Sequence, residues 1–395
     1  MHFLLLLSIS CFIGSLSLRM LDPVVPQVAR DLSTAPEAVA LLSTAFMASY
    51  AITQPFLGAI ADAYGKVRII KLCSAALALM LVLMAFAPTI EVLYISRILG
   101  GMFGGGDFTV ALAVVGDRVP LEGRQVALSN LIMASQSAQL FGVAATGFIA
   151  SYFGWRSAVG AAAVVAIIAA IMLQRNLHPR PGVTRYPFNL ARLASTFSQL
   201  VRNPRTRTCY SGVLLDGMSA AGIFPFIAIL LEQQGEGSLR EAGFVIAGFA
   251  LGGILYTFTV RRLLALVGNM LRLLRLGGII CAAAMVGFAF GGPWPLQMAY
   301  FAVAGFGFFM VHASLQAQAT DVAPDLRASS VSLHSTFYTL GMAIGPAIYA
   351  VGINTIGARS SVLIGAAIML MIGLLTAASF ERISAGETAK SKTVS

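Results

Sequence analysis

Charged residues are scarce in this chain. Asp, Glu, Lys and Arg together form 11% of its 395 residues, whereas an average soluble domain contains about 25%. Hydrophobic residues form 58%, and the mean hydropathy is +0.84. So little polar surface cannot cover so much apolar surface in water, so the composition excludes a soluble globular protein. The alternating segments of about 10 residues that build a membrane barrel are missing as well, and the expected class is an all-α integral membrane protein.

The sequence also lacks the patterns that are typical of enzymes and of cofactor-dependent proteins. It has no Gly-rich phosphate loop that ends in Lys-Ser/Thr, no His/Cys cluster with metal-ligand spacing and no visible catalytic constellation. We therefore expect no enzyme activity, no ATP-driven step, no cofactor and no metal. The net charge of +10 does not indicate a nucleic-acid partner, because the basic residues fall in short loops between apolar runs. The expected partner is the lipid bilayer.

Long apolar segments are present instead, and twelve of them reach the ~20 residues that a spanning helix needs. They are 3–27, 38–60, 69–88, 92–115, 126–150, 155–174, 208–231, 242–262, 271–291, 295–318, 329–353 and 359–380. The polar interval 175–207 carries seven arginines and no acidic residue. Apolar residues recur at helical spacing between 190 and 201, which predicts an amphipathic helix on the membrane surface.

Lys and Arg concentrate on one side of the predicted membrane. They are most frequent in the loops after the second, fourth, sixth, eighth and tenth segments and near the C-terminus. Because positive charge accumulates on the cytoplasmic side, both termini are predicted to lie there. We therefore expect a multi-pass protein of the cytoplasmic (inner) membrane.

The chain contains an internal repeat with an offset of 203 residues. Without any gap, this offset aligns Gly65 with Gly268, Phe103 with Phe306, Gly104 with Gly307, Arg124 with Arg327, Gly142 with Gly345, Gly154 with Gly357 and Arg156 with Arg359. Two copies of a six-helix unit are typical of transporters. The predicted organisation is two pseudo-symmetric six-helix bundles, 1–174 and 208–381, joined by a linker, 175–207, and followed by a cytoplasmic tail, 382–395.

The loop after the second segment reads GAIADAYGKVR and contains Gly58, Asp62, Gly65, Lys66 and Arg68. Glycines permit close helix packing and a tight turn, and an aspartate at a helix end can lie against the positive N-terminus of another helix. With its six-plus-six organisation, the chain resembles the major facilitator superfamily, whose signature in this loop is G-x-x-x-D-x-x-G-R/K-x-R/K. The resemblance implies a gate that latches the two halves on the cytoplasmic side.

The fourth segment, RILGGMFGGGDF, resembles the second superfamily motif, R-x-x-x-G-x-x-x-[GA], which occurs often in proton-linked members. It supplies Arg97, Gly101 and Gly104, and Asp107 follows Arg97 by ten residues, or about 15 Å of helix. Arg97 could instead extend its side chain to the membrane surface. No interface is within reach of Asp107, so we expect a buried carboxyl group that faces the central cavity and exchanges a proton.

The antiporter motif of the superfamily, G-x-x-x-G-P-x-x-G-G, belongs in the fifth segment. The sequence there, AQLFGVAATG, keeps Gly142 but has Val143 in place of the proline. The eleventh segment, GMAIGPAIYA, matches better through Gly341, Gly345 and Pro346. The motif is thus incomplete in the fifth segment and better matched in the eleventh, which weakens the assignment to drug antiporters. The assignment to the superfamily is unchanged. We expect these residues, with Gly101 and Gly104, to allow close helix packing.

Further ionisable residues lie inside the predicted spans. Arg19 and Asp22 lie in the first segment at a spacing that places them on one face, where they partly neutralise each other. Asp216 lies in the seventh segment and His312 in the tenth, where a neutral histidine bonded to a carbonyl group is the alternative. In the superfamily, segments one, four, seven and ten line the cavity. The resemblance therefore makes six residues candidates for the cavity and for proton coupling: Arg19, Asp22, Arg97, Asp107, Asp216 and His312.

The favoured function is secondary active transport, with proton-coupled export of a small organic solute or drug-like compound by alternating access. The alternative is proton symport or facilitated uptake of a nutrient such as a sugar or organic anion. The missing proline supports uptake mildly, and Arg19 together with Arg97 would suit an anionic substrate. A membrane receptor or scaffold without transport is the third hypothesis. The expected partners are a small-molecule substrate and protons, and a monomer suffices for this mechanism.

Overall fold

The computed structural model describes residues 2–119, 121–179, 190–321 and 327–394, which contain helices and turns and no β-strand. The first half contains α1 (His2–Arg19), α2 (Val25–Asp31), α3 (Pro36–Tyr64), α4 (Lys66–Ala85), α5 (Ile90–Arg118), α6 (Leu121–Phe153) and α7 (Trp155–Asn176). There follow α8 (Leu190–Arg202), α9 (Pro204–Ala221), α10 (Ile227–Gln234), α11 (Leu239–Val267), α12 (Met270–Ala289), α13 (Trp294–Asp321), α14 (Arg327–Ile356), α15 (Ala358–Met371) and α16 (Ala377–Val394).

The helices provide twelve segments that are long and apolar enough to cross a membrane. This confirms the number of spans predicted from the sequence, although most of the helices extend beyond the predicted apolar cores. The first span, Phe3–Asp31, and the seventh, Pro204–Gln234, each consist of two helices with a break between them.

The internal repeat is confirmed by the lengths of the helices and by the turns between them. Helices α3 and α11 each have 29 residues, and α4 and α12 each have 20. The turn glycines Gly65 and Gly268 have φ of 105° and 92°, and Gly154 and Gly357 have φ of 83° and 86°. Only glycine adopts such angles readily, which explains why the sequence repeat is so clear at these positions.

The breaks in the first and seventh spans also correspond to each other. A short 3₁₀ segment, Asp22–Val24, separates α1 from α2, and Phe224–Phe226 separates α9 from α10. Pro23 is the second residue of the first of these segments and Pro26 follows in α2, and neither proline can donate a backbone hydrogen bond. A five-residue π-helical segment, Ile372–Thr376, lies between α15 and α16.

Internal contacts divide the chain into two compact units. The first comprises Met1–Asn189 and Phe224–Ala247, and the second comprises Leu190–Ile223 and Gly248–Ser395. This grouping differs from the division at the central linker, because the chain passes from one unit to the other at the break before Phe224. The division into bundles 1–174 and 208–381 stays a prediction.

The central linker contains the helix that its periodicity predicts, since α8 covers Leu190–Arg202. Its residue Leu200 is buried and Val201 is 41% exposed. Arg180 and Arg185 lie outside the described residues, as do the side chains of Arg124, Arg192 and Arg327. The predicted tail begins inside α16, which continues to Val394.

Glycines lie at the closest helix contacts of each unit. A Cβ atom added at Gly101 would meet the carbonyl oxygen of Phe46, and one added at Gly305 would meet that of Phe249. These pairs occupy corresponding helices of the repeat, α5 on α3 and α13 on α11. Glycine therefore permits backbone approaches that any larger residue would block.

The other packing glycines predicted from the sequence also have close neighbours. A Cβ atom at Gly104 would lie 3.3 Å from the ring of Phe46, and one at Gly142 would lie 2.6 Å from the Leu16 side chain. In α14, a Cβ atom at Gly341 would meet the Leu214 carbonyl oxygen, and one at Gly345 would lie 2.6 Å from the Met218 carbonyl oxygen. Pro346 follows in the interior of the same helix.

We expect Gly101→Ala to destabilise the protein by ~1–3 kcal/mol, because the new methyl group must displace the backbone of α3. Gly160 is the matched control, since a Cβ atom there would have no described atom within 4 Å. Gly160→Ala should stabilise its helix by up to about 1 kcal/mol through helix propensity. Unfolding of both purified variants in detergent measures the difference, and equal stabilities would contradict the packing role of Gly101.

Candidate functional site

The break in the first span holds a buried ion pair. Arg19 Nη1 lies 3.4 Å from Asp22 Oδ2, and the two side chains are 5% and 0% exposed. The hydroxyl of Ser43, on α3, donates a hydrogen bond of 2.6 Å to Asp22 Oδ1. Arg19 also lies over the ring of Phe224, at 4.4 Å from its centroid. Arg19 and Asp22 thus lie together as the i, i+3 spacing predicts, and their charges compensate each other.

Arg97 binds the backbone at the same break. Its guanidinium group donates hydrogen bonds to the carbonyl oxygens of Ser17, at 2.6 Å, and of Leu18, at 3.1 Å. These carbonyls belong to the last turn of α1, where helical N–H partners are missing. A third bond of 3.3 Å reaches the carbonyl oxygen of Leu42, and the guanidinium lies 4.1 Å from the ring centroid of Phe46. Arg97 therefore stabilises the end of a broken helix.

This geometry removes the support for an anionic substrate. Arg97 is 2% exposed and bonded to carbonyl oxygens, and Arg19 is paired with Asp22. Neither arginine offers its guanidinium group to a solute. The expectation that Arg97 reaches the membrane surface is wrong for the same reason, because the side chain is enclosed by α1 and α3.

Asp107 is completely buried, and its carboxylate meets hydroxyl groups. Ser10, on α1, and Ser74, on α4, donate hydrogen bonds of 2.9 Å and 2.8 Å to its Oδ1 atom. Its Oδ2 atom has no partner among the described residues. The side chain is buried, as expected, and that it faces the central cavity stays a prediction. Ser10 and Ser74 were not singled out from the sequence, although hydroxyls inside apolar segments are a usable signal.

The second unit places Asp216 and His312 in direct contact. Asp216 Oδ2 lies 3.0 Å from His312 Nδ1, and the side chains are 0% and 16% exposed. Asp216 Oδ1 has no partner within the described parts of the chain. The pair joins α9 to α13, and His312 Nδ1 contacts this carboxylate and not the backbone carbonyl of the alternative interpretation. A carboxyl group and an imidazole at this distance can hold one proton between them.

Aromatic rings surround His312. Phe308 stacks on it at a centroid distance of 5.6 Å, and Tyr338 lies at 4.4 Å. His334, on α14, lies at 5.3 Å, is 1% exposed and has no described partner for either ring nitrogen. His334 is not among the six candidate residues predicted from the sequence. The spacing of four residues between His334 and Tyr338 places both on one helix face and is a signal for this cluster.

The loop motif forms a local ion network. Lys66 Nζ lies 3.2 Å from Asp62 Oδ1 and 2.6 Å from Asp117 Oδ2. Asp62 therefore lies beside the first residue of α4, and Asp117, at the end of α5, is a partner that the motif alone does not reveal. Gly65 makes the turn, and Arg68 is exposed. The close packing expected at Gly58 is not observed, because a Cβ atom there would meet no described atom within 4 Å.

The sequence matches the family model of the Major Facilitator Superfamily over residues 7–346 and again over 211–393. The chain belongs to this superfamily. The twelve spans are therefore the superfamily's architecture in this member.

The relatives of this superfamily member include an efflux pump and a drug-resistance protein. It is 24% identical over 373 residues to the purine ribonucleoside efflux pump NepI of Shigella boydii serotype 4, with 92% of this chain and 89% of the relative aligned. It is 23% identical over 374 residues to the quinolone resistance protein NorA of Staphylococcus aureus, with 92% and 91% aligned.

The fold of this superfamily member matches solved transporters. The nucleoside transporter NupG has a TM-score of 0.80 at 15% identity, with 95% of this chain and 99% of the other covered. A bacterial homologue of the lysosomal transporter Spinster has a TM-score of 0.77 at 17% identity, with 96% of each chain covered. The chain thus has the two-bundle architecture of the superfamily and is a multi-pass membrane transporter.

Proposed function

We propose that this protein is a proton-coupled exporter of small organic solutes in the cytoplasmic membrane. The contact between Asp216 and His312 carries the proposal. A buried carboxylate is costly in a membrane protein unless a positive charge or a proton compensates it. His312 can supply that charge when it is protonated, and a proton on Asp216 removes the need for it. The pair therefore links proton binding to the contact between α9 and α13.

Asp107 is the second candidate for proton exchange. No cation pairs with it among the described residues, and two serine hydroxyls alone stabilise its carboxylate. Arg19, Asp22 and Arg97 form a compact group, in which Asp22 compensates the charge of Arg19 and backbone carbonyls bind Arg97, and we assign this group to the gate at the break of the first span. The motif Gly58, Asp62, Gly65, Lys66 and Arg68 is assigned to the cytoplasmic gate. Export as the direction is supported by the relatives NepI, an efflux pump, and NorA, a quinolone resistance protein, and a monomer is the proposed working unit.

Inverted membrane vesicles test the proposal. Adenosine, ethidium and p-aminohippurate represent uncharged, cationic and anionic solutes, and an acid-inside pH gradient is imposed. We expect accumulation of at least one solute that stops when nigericin collapses the gradient. Vesicles without the protein are the control. Accumulation that persists without the gradient, or that requires ATP, would contradict proton coupling, and movement only in the opposite direction would favour uptake.

A further inference from the structure

The charges deep inside the spans are all enclosed by protein. Asp22, Asp107 and Asp216 are 0% exposed, and Arg97 and Arg19 are 2% and 5% exposed. Two of the carboxylates face a basic partner, and Arg97 is held by backbone carbonyls. The other charged residues of the described spans lie near helix ends. No described residue therefore exposes a fixed charge deep inside the spans.

Polar groups without a net charge are exposed at this depth in the second unit. His312 is 16% exposed, and Gln316, one turn further along α13, is exposed on the same helix face. Burying an unpaired amide in lipid is unfavourable, so this face contacts water or a polar solute. The imidazole and the Asp216 carboxylate are neutral together when they hold one proton.

The same face offers aromatic surface. The half-buried Tyr338 ring lies 4.4 Å from the ring of His312, and the buried Phe308 ring stacks on His312 from within the unit at an angle of 12°. Aromatic groups favour stacking with planar ligands, while an amide supplies one donor group and one acceptor.

We infer that the solute is an uncharged heteroaromatic compound with several hydrogen-bonding groups, of which a purine nucleoside is the type. The inference rests on the proposed transport function and narrows its substrate class. Stacking on the His312–Tyr338 surface and hydrogen bonding to Gln316 provide recognition. While the Asp216–His312 pair holds one proton, a net charge on the solute has no opposite charge to meet and loses its hydration on entry. Organic cations and anions are therefore disfavoured.

Ligand binding to the purified, full-length protein tests the inference through the rise in its unfolding temperature. Three probes share one ring system: adenosine is uncharged, AMP is anionic and 1-methyladenosine is cationic at pH 7. We expect adenosine to bind at least about tenfold more tightly than either charged probe, since a tenfold ratio corresponds to only ~1.4 kcal/mol. Equal or tighter binding of a charged probe, or no binding of adenosine, would overturn the inference.

A pair of variants locates the site. Gln316→Leu should weaken adenosine binding about fivefold, the loss expected for one hydrogen bond. Gln318→Leu is the control, because Gln318 lies on the same helix but is rotated about 200° from Gln316. Equal effects of the two substitutions would place the solute elsewhere. Binding is measured without a pH gradient. The inferred substrate class can therefore be contradicted while proton coupling is supported, and proton coupling can be contradicted while the substrate class is supported.

Discussion

Asp216→Asn should reduce gradient-driven transport to the level of vesicles that lack the protein. Asparagine has nearly the same shape as aspartate and can keep a hydrogen bond to His312 Nδ1, but it cannot take up or release a proton. Folding should therefore persist while coupling is lost. Exchange of labelled for unlabelled solute needs no net proton movement and should continue in this variant.

The matched control for this prediction is Asp321→Asn, which removes an exposed carboxylate from the end of α13 in the same unit. Its transport should equal that of the wild type. If Asp216→Asn transported normally against a gradient, the contact with His312 would be a structural hydrogen bond only. Loss of both exchange and folding would likewise assign Asp216 to stability.

Arg97→Met should destabilise the protein by at least ~3 kcal/mol. Methionine preserves much of the apolar stem but leaves three carbonyl oxygens without their charged donor, and each such bond contributes ~1.5–3 kcal/mol. The apparent unfolding temperature in detergent measures the loss. Arg261→Met, at an exposed position on α11, is the control and should leave stability nearly unchanged.

The opposite outcome for Arg97 is equally informative. An Arg97→Met protein that is as stable as the wild type but fails in gradient-driven transport would support a coupling role, as the sequence motif implies. The geometry at the end of α1 favours stability, because every bond that the structure gives to the guanidinium group is to a backbone carbonyl.

The spans and the repeat could be predicted because they depend on local properties. Hydropathy over ~20 residues identifies a spanning segment, and the turn at Gly65 and Gly268 requires glycine for reasons of backbone conformation. The i, i+3 pair of Arg19 and Asp22 is equally local. These features need no knowledge of how the helices pack.

The partners of the buried charges could not be predicted, because they depend on how each helix is rotated. Asp107 receives hydrogen bonds from Ser10 and Ser74, which are 97 and 33 residues away in the sequence. A rotation of α5 by one residue, about 100°, would turn the same carboxylate toward a different neighbour. His334 was missed for a similar reason. Its contact with His312 depends on the rotation of α14, which the sequence does not give.

Infrared difference spectroscopy of the purified protein tests the central claim most directly, because it detects protonated carboxyl groups without a substrate. Spectra at acidic and alkaline pH are compared for the wild type, Asp216→Asn and the control Asp321→Asn. The account predicts a pH-dependent band of a buried, protonated carboxyl group that is reduced in Asp216→Asn and unchanged in Asp321→Asn. A wild-type band that is the same in Asp216→Asn would contradict proton exchange at the Asp216–His312 pair.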